Sequence, residues 1–357
     1  MLTFRVMPRT LFLLMMCAPV FAQGMFETNT KESLRGLSAY NQSVVWASGT
    51  HGTYLFTQNG GKSWTTGQVP GAEKLDFRGV VVDDEGTFLL SAGPGDQSRI
   101  YHSGHLGEHW DLQFTNQEPA GFLDCMAFFD PQHGLVVGDP VNGKFQILRT
   151  EDGGKSWHYA DSNKMPAAIT GEGAFAASNT CLTVQGKKNA WFVTGGAAAR
   201  VFRSRDGGKS WAVSDSPIVH GPASAGVFSV VFRDAQHGVI AGGDYAKPEQ
   251  AGANLATTSD GGRTWKLGSA PEQKYYSATC YVWAGQPKNK RAIRIFVTGS
   301  TVSAYSDDGL SSWQWSMPIG FNALACIGEI AIVAGSEGRI MRVEVSTRGY
   351  SHREPIQ

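Results

Sequence analysis

Thr150-Glu151-Asp152-Gly153-Gly154-Lys155-Ser156-Trp157 is a turn signature, and it recurs along the chain. Thr57 to Trp64, Ser204 to Trp211 and Thr258 to Trp265 repeat it closely, with Asn59, Asp206 and Asp260 in the acidic position. Ser103 to Trp110 and Ser306 to Trp313 repeat it loosely, the second with Asp308. The Asp or Asn oxygen accepts hydrogen bonds from the backbone N–H groups that follow it. Paired glycines allow positive φ. The Ser/Thr hydroxyls tie the two ends of the turn, and the Trp opens the next strand and packs between sheets. Calcium or ligand binding is the functional alternative, but turn formation accounts for every residue type present.

The six tryptophans, Trp64, Trp110, Trp157, Trp211, Trp265 and Trp313, lie 46, 47, 54, 54 and 48 residues apart. A period near 50 with several short strands per unit specifies propeller blades. Ahead of each turn stand an apolar strand A, a strand B such as Gly134-Leu135-Val136-Val137-Gly138, and a strand C such as Phe145-Gln146-Ile147-Leu148-Arg149. Strand D begins at the Trp. Seven A strands align, at Leu34–Leu37, Phe77–Val80, Leu123–Met126, Asn179–Leu182, Phe228–Val231, Tyr276–Thr279 and Phe321–Leu324. The expected fold is therefore all-β, a seven-bladed propeller of four-stranded antiparallel blades. The seventh unit has no turn signature, so its outer strand is expected from the N-terminus, around Met25 to Lys31, which removes the exposed sheet edge. No linker or composition break divides residues 23–347, which read as one domain, with a tail at 348–357.

Lys+Arg and Asp+Glu both number 31 in 357 residues, so no net field favours nucleic acid or an anionic membrane. Arg5 and Arg9, the apolar run Leu11 to Met16 and Val20-Phe21-Ala22 read as a signal peptide over residues 1–22. The run is too short to span a bilayer, so the expected product is periplasmic or secreted and not itself transmembrane. Cys125, Cys181, Cys280 and Cys326 remain after cleavage, without metal spacing. Buried thiols are the simpler reading. Whether Cys125–Cys181 or Cys280–Cys326 bridge neighbouring blades stays open, since an oxidising compartment permits it.

In a propeller strand A lines the central channel, and the D–A and B–C loops share the rim opposite the signature turns. The second aligned position of strand A gives Arg35, Arg78, Asp124, Thr180, Ser229, Ser277 and Asn322. One polar residue per blade at one register predicts a ring. A solvated channel tolerates such residues without function, but two arginines beside an aspartate could grip a carboxylate or phosphate. The loops on that rim are Gly171 to Asn179, His220-Gly221-Pro222, Gly138-Asp139-Pro140 with Lys144, Gly195-Gly196 with Arg200, and Gly242 to Lys247. They add Glu172 and Arg200 as ligand contacts. Glu172, Asp124, Asp139, Asp244, His51 and His220 are candidate acids or bases, with Tyr245 beside them, though each alone is what a turn or a solvated loop uses. No phosphate loop, dinucleotide fingerprint, H-E-x-x-H or nucleophile elbow is present, so no cofactor and no metal are expected.

The D-G-G-K-S-W turns, together with Phe128 to Gly138 and Val231 to Gly242, resemble the photosystem II stability/assembly factor family of Asp-box, or bacterial neuraminidase repeat, propellers over essentially the whole chain after its leader. Gly138-Asp139-Pro140, Gly171 to Cys181 and Gly242 to Tyr245 resemble a bacterial branch often loosely labelled oxidoreductase or glycosyl hydrolase, labels that no motif here supports. The resemblance implies a non-catalytic binding or assembly role on exported or membrane proteins; the expected product is a monomer that holds a protein segment or a small anionic or glycan ligand at the mouth. Sialidases share the turns and the propeller. The alternative is thus a glycoside hydrolase at the same mouth, with Arg35, Arg78 and Arg200 as an arginine triad and Tyr245 or Tyr275 with Glu172 as the nucleophile pair. Phe77-Arg78-Gly79-Val80 is only a faint echo of the sialidase F/Y-R-I-P motif.

Overall fold

The computed structural model describes residues 25–104, 106–268, 274–284, 292–306, 309–311 and 315–344. The leader, the tail, Asp308 and Trp313 lie outside them. Among the described residues, apart from two single-turn 3-10 segments, the regular structure is β-strand throughout. No helix among the described residues is long and apolar enough to cross a membrane.

Among the described residues the strands form seven antiparallel sheets. Sheet 1 runs Leu34–Ala39, Val45–Gly49, Thr53–Thr57 and Thr65–Gln68, each strand bonded to the next. Sheets 2, 3 and 4 repeat this order from first strands Asp76–Asp83, Leu123–Asp130 and Leu182–Gln185. Sheet 6 does so from Ala278–Ala284. Sheet 5, built on Ala225–Phe232, has six strands because Glu172–Gly173 and Gly195–Gly196 extend its inner edge. Sheet 7 has Ala323–Ile327, Ile330–Ala334 and Ile340–Glu344, and Met25–Phe26 pairs alongside, with Met25 opposite Met341 and Phe26 opposite Ile340. First strands of consecutive sheets lie side by side in chain order, and Leu34–Ala39 of sheet 1 contacts Ala323–Ile327 of sheet 7.

Burial follows from that arrangement. Val45–Gly49, Thr53–Thr57 and Ile330–Ala334 are buried at every residue, because middle strands are covered on both faces by neighbouring sheets. The fourth strand Thr65–Gln68 is largely exposed. Large side chains fill the seams between sheets. Trp191 stacks on Phe232 with centroids 3.7 Å apart, and Trp46 stacks on Phe56 at 4.7 Å. The turn tryptophans join these seams: Trp211 meets Phe192 edge-on at 4.9 Å, and Trp157 meets Phe128 at 5.8 Å.

The signature turns have the expected chemistry. Asp206 accepts from Ser204 Oγ at 2.8 Å, Lys209 N at 3.0 Å and Ser210 N at 2.9 Å. Ser210 Oγ donates to its other oxygen. Asp152 and Asp260 are bonded in the same way. Gly207 and Gly208 have φ of 73° and 80°, which a side chain would strain. Asp206→Ala leaves these donors without their acceptor and is expected to cost about 1–3 kcal/mol, read as a lower urea midpoint at unchanged slope.

The cysteines differ from the buried-thiol reading. Cys125 is bonded to Cys181 and Cys280 to Cys326, each pair with Cα atoms 6.0 Å apart. The first ties the inner strand of sheet 3 to the residue just before the inner strand of sheet 4, and the second ties the inner strands of sheets 6 and 7. The alignment of first strands sets cysteines of adjacent sheets face to face at bonding distance, which settles the question the sequence left open.

Candidate functional site

The ring of polar residues has a local cause. In sheet 1, Leu34 pairs with Gly49 and Gly36 with Ser48, so Arg35 is an extra residue in the ladder. Arg78 is skipped in the same way between Phe77 and Gly79, and Asp124 between Leu123 and Cys125. These are β-bulges, which release one side chain from the alternation and re-aim it. Here the released side chains turn into the channel. Sheet 5 has the same bulge one residue earlier than the alignment predicts: Val227 and Ser229 are paired, and Phe228 is skipped.

A cavity of about 620 Å³ opens at this mouth. Arg35, Arg78, Asp124, Asp139, Ser277, Ser300 and Asn322 supply its polar lining, and Phe122, Phe175, Phe228, Tyr245 and Tyr275 its aromatic walls. Thr180 and Ser229 are absent from the lining. Ser229 is fully buried, and its Oγ accepts from Thr279 N at 2.9 Å, because the shifted bulge gives its place to Phe228. Thr180 precedes its strand, which starts at Leu182, and bonds Ser178 Oγ at 2.7 Å. Ser277 and Asn322 reach the cavity but also stitch sheets. Ser277 Oγ donates to Asn322 O at 2.9 Å, and Asn322 Nδ2 to Leu34 O at 3.0 Å.

The segment from Gly171 to Asn179, expected as a rim loop, crosses the channel and floors the cavity. Asn179 accepts from Met126 N at 2.8 Å and donates to Val80 O at 3.3 Å, reaching sheets 3 and 2. Ala176 O accepts from Arg78 Nη1 at 3.1 Å. Ser178 Oγ donates to Ser277 O of sheet 6 at 2.9 Å, and Phe175 stacks on Phe228 of sheet 5 at 4.0 Å. Gly195 makes room for it: a Cβ there would lie 2.2 Å from the Phe175 ring.

Glu172 and Arg200 anchor this segment and lie outside the cavity lining. Arg200 Nε donates to Glu172 Oε1 at 2.8 Å, and Nη2 bonds the other oxygen. Thr194 Oγ1 at 2.6 Å and Ile169 N at 2.9 Å also donate to Glu172. Both side chains are buried, so the pair positions the floor from behind. The arrangement therefore assembles neither the Arg35–Arg78–Arg200 triad nor a Tyr–Glu172 pair. Asp244 accepts from Ala246 N at 2.9 Å within its own turn, and His51 is exposed and paired with Glu32. His220 bonds the Ile218 carbonyl, and Lys144 the Met165 carbonyl.

The charges in the cavity are unevenly compensated. Arg78 pairs with Asp76 at 2.7 Å. The Arg35 side chain makes no hydrogen bond or ion pair among the described residues, and its Nε is buried without a partner. Burial, and then Arg78 nearby, lower its pKa. Asp124 is 1 % exposed and its Oδ2 has no partner. Burial above all, with Asp139 adding to it, holds its carboxyl well above the usual range, against the pull of Arg78. Burial pushes Asp139 up to about 6, although it accepts from Ala174 N at 2.8 Å. Burial also raises the Tyr275 hydroxyl. Among the described residues no three His, Cys, Asp or Glu side chains converge as a metal site requires.

Radial sheets around a floored channel define the class: this chain has a β-propeller fold. Solved propellers superpose on nearly all of it. A structure described as YCF48 bound to D1 peptide matches with a TM-score of 0.64 and 14 % identity, covering 90 % of this chain and 96 % of that one. YCF48 from Cyanidioschyzon merolae matches with 0.59 and 16 %, covering 90 % and 98 %. The WD40 propeller domain of Doa1 matches with 0.56 and 12 %, covering 89 % and 94 %. At such identities the likeness is one of fold. No protein-family model and no curated protein matches the chain in sequence.

Proposed function

We propose that this chain is an exported, seven-bladed Asp-box propeller, closed by its N-terminal strand, that binds a segment of a protein partner at the channel mouth. The seven sheets and the pairing of Met25–Phe26 with sheet 7 support the architecture. Two disulfides fit an oxidising compartment. The structural neighbour described as carrying a peptide supports a protein partner. One observation carries the reading: Arg35, whose side chain makes no hydrogen bond or ion pair among the described residues, lines a cavity walled by aromatic rings. A guanidinium without an internal partner is available to a carboxylate, and aromatic walls bury apolar neighbours. Immobilised chain lacking residues 1–22 should recover a partner from a periplasmic extract, and Arg35→Ala should reduce recovery at least tenfold. The Arg35 side chain makes no hydrogen bond or ion pair among the described residues, so the variant should stay folded, as a melting curve would show. Unchanged recovery would remove the mouth as the binding site.

A glycoside hydrolase is the second reading, favoured by two carboxylates, Asp124 and Asp139, in one cavity. Turnover of any member of a fluorogenic glycoside panel, abolished by Asp139→Asn, would replace the scaffold reading.

A further inference from the structure

Two features of the cavity are unexplained by an anionic ligand alone. Asp124 is buried with one carboxylate oxygen bonded to nothing, and it faces the same space as Arg35. Asp139 lines that space too, with one oxygen occupied by the Ala174 amide. Leaving a buried carboxyl oxygen without a partner is costly. An isosteric amide would remove the charge, and an apolar residue would remove the group. A site built only for carboxylates would also be weakened by two acidic side chains on its wall, since like charges repel. The other wall carries Arg35, whose guanidinium makes no hydrogen bond among the described residues, with Asp76 as its nearby counter-charge. The cavity thus holds a guanidinium with an unpartnered Nε and a buried carboxyl with an unpartnered oxygen, with aromatic surface between them.

We infer that the mouth is a bipolar subsite, taking a ligand that carries a carboxylate for Arg35 and a cationic nitrogen for Asp124 and Asp139. In a peptide these would be adjacent acidic and basic side chains; in a free ligand, a basic amino acid. The inference rests on the mouth being the binding site and adds the second charge. A cationic nitrogen at Asp124 would supply the missing donor and offset the repulsion between Asp124 and Asp139. Phe175, Phe228 and Tyr245 offer ring faces and edges to its aliphatic stem.

Calorimetric titration of the chain lacking residues 1–22 with four probes tests this. Three are capped dipeptides, acetyl-Glu-Lys-amide, acetyl-Glu-Gln-amide and acetyl-Gln-Lys-amide; the fourth is free L-lysine. One of the two bipolar probes should bind at least tenfold more tightly than either singly charged dipeptide, and which of them wins separates a peptide source from a free amino acid. Asp124→Asn should reduce that preference to within about twofold, with acetyl-Glu-Gln-amide bound at least as tightly as by the parent. Arg35→Ala should remove the carboxylate-bearing probes. Failure of both bipolar probes to bind more tightly than the singly charged dipeptides would overturn the inference, as would a preference that survives Asp124→Asn. Silence of all four probes at millimolar concentration would overturn it as well. Partner recovery with Arg35→Ala reports on the broader reading separately, so the two can fail independently.

Discussion

Replacing Arg200 by Met is expected to destabilise the fold by about 3–5 kcal/mol, because it leaves the buried Glu172 carboxylate facing only Thr194 Oγ1 and the Ile169 amide. At the low end of the response for large domains, that is a drop in melting temperature of roughly 6–10 °C. The cost belongs to the stranded charge more than to the lost attraction. A second change, Glu172→Gln, should therefore recover most of it, and the double variant should lie closer to the parent than to Arg200→Met. Additive losses would show that the two side chains act separately. A single variant as stable as the parent would mean that the pair contributes nothing to holding the segment.

The same pair bears on the mouth. Glu172 begins the segment that runs through Phe175 and Asn179 to Cys181, and Cys181 is bonded to Cys125. The ion pair and the disulfide thus hold both ends of the cavity floor. Between them the segment is fixed by bonds to sheets 2, 3 and 6 and by the Phe175–Phe228 stack. Residues that read as candidate acids and ligand contacts are in this way the foundation of the site, while the cavity itself is lined from the bulges.

What the sequence revealed depends on whether the cause was local. The turn at Asp206 is closed by residues from Ser204 to Ser210, so its whole chemistry lies within one short window. The blade period is a repetition of such windows. Arg35, Arg78 and Asp124 were legible because three strands share one bulge at one position. Phe228 was not, because its bulge is displaced by one residue, and a displacement of one exchanges a buried for a channel-facing side chain. Glu172 met Arg200 only once Gly195–Gly196 had brought a strand of its own to the inner edge of sheet 5. The crossing of the channel by the Gly171 to Asn179 segment depends on partners about 50 to 100 residues away along the chain. No pattern within the segment states that distance.

Asp139→Asn should stabilise the protein at neutral pH. The folded carboxyl, at about 6, lies roughly two pH units above an ordinary aspartate, so folding opposes its ionisation. Below about pH 4 the group is protonated in both states and costs nothing. As pH rises through the window from about 4 to 6 the unfolded chain ionises first, and stability falls. Above about 6 the full cost persists. At about 1.4 kcal/mol per unit the ceiling is about 3 kcal/mol, and partial solvent access at the mouth reduces it. Denaturation in urea at pH 4, 5, 6, 7 and 8 should show parent and Asp139→Asn converging at the acid end and separating in favour of the variant above pH 6. Asn keeps an oxygen for the Ala174 amide, so the comparison isolates the charge. Asp124→Asn should behave alike, with its loss of stability extending to higher pH, because burial holds that carboxyl further up. Variants less stable than the parent at pH 8 would show that the ionised carboxylates are compensated within the fold. Variants more stable would show that the mouth keeps charges the fold does better without, as expected where a cation from outside completes the site.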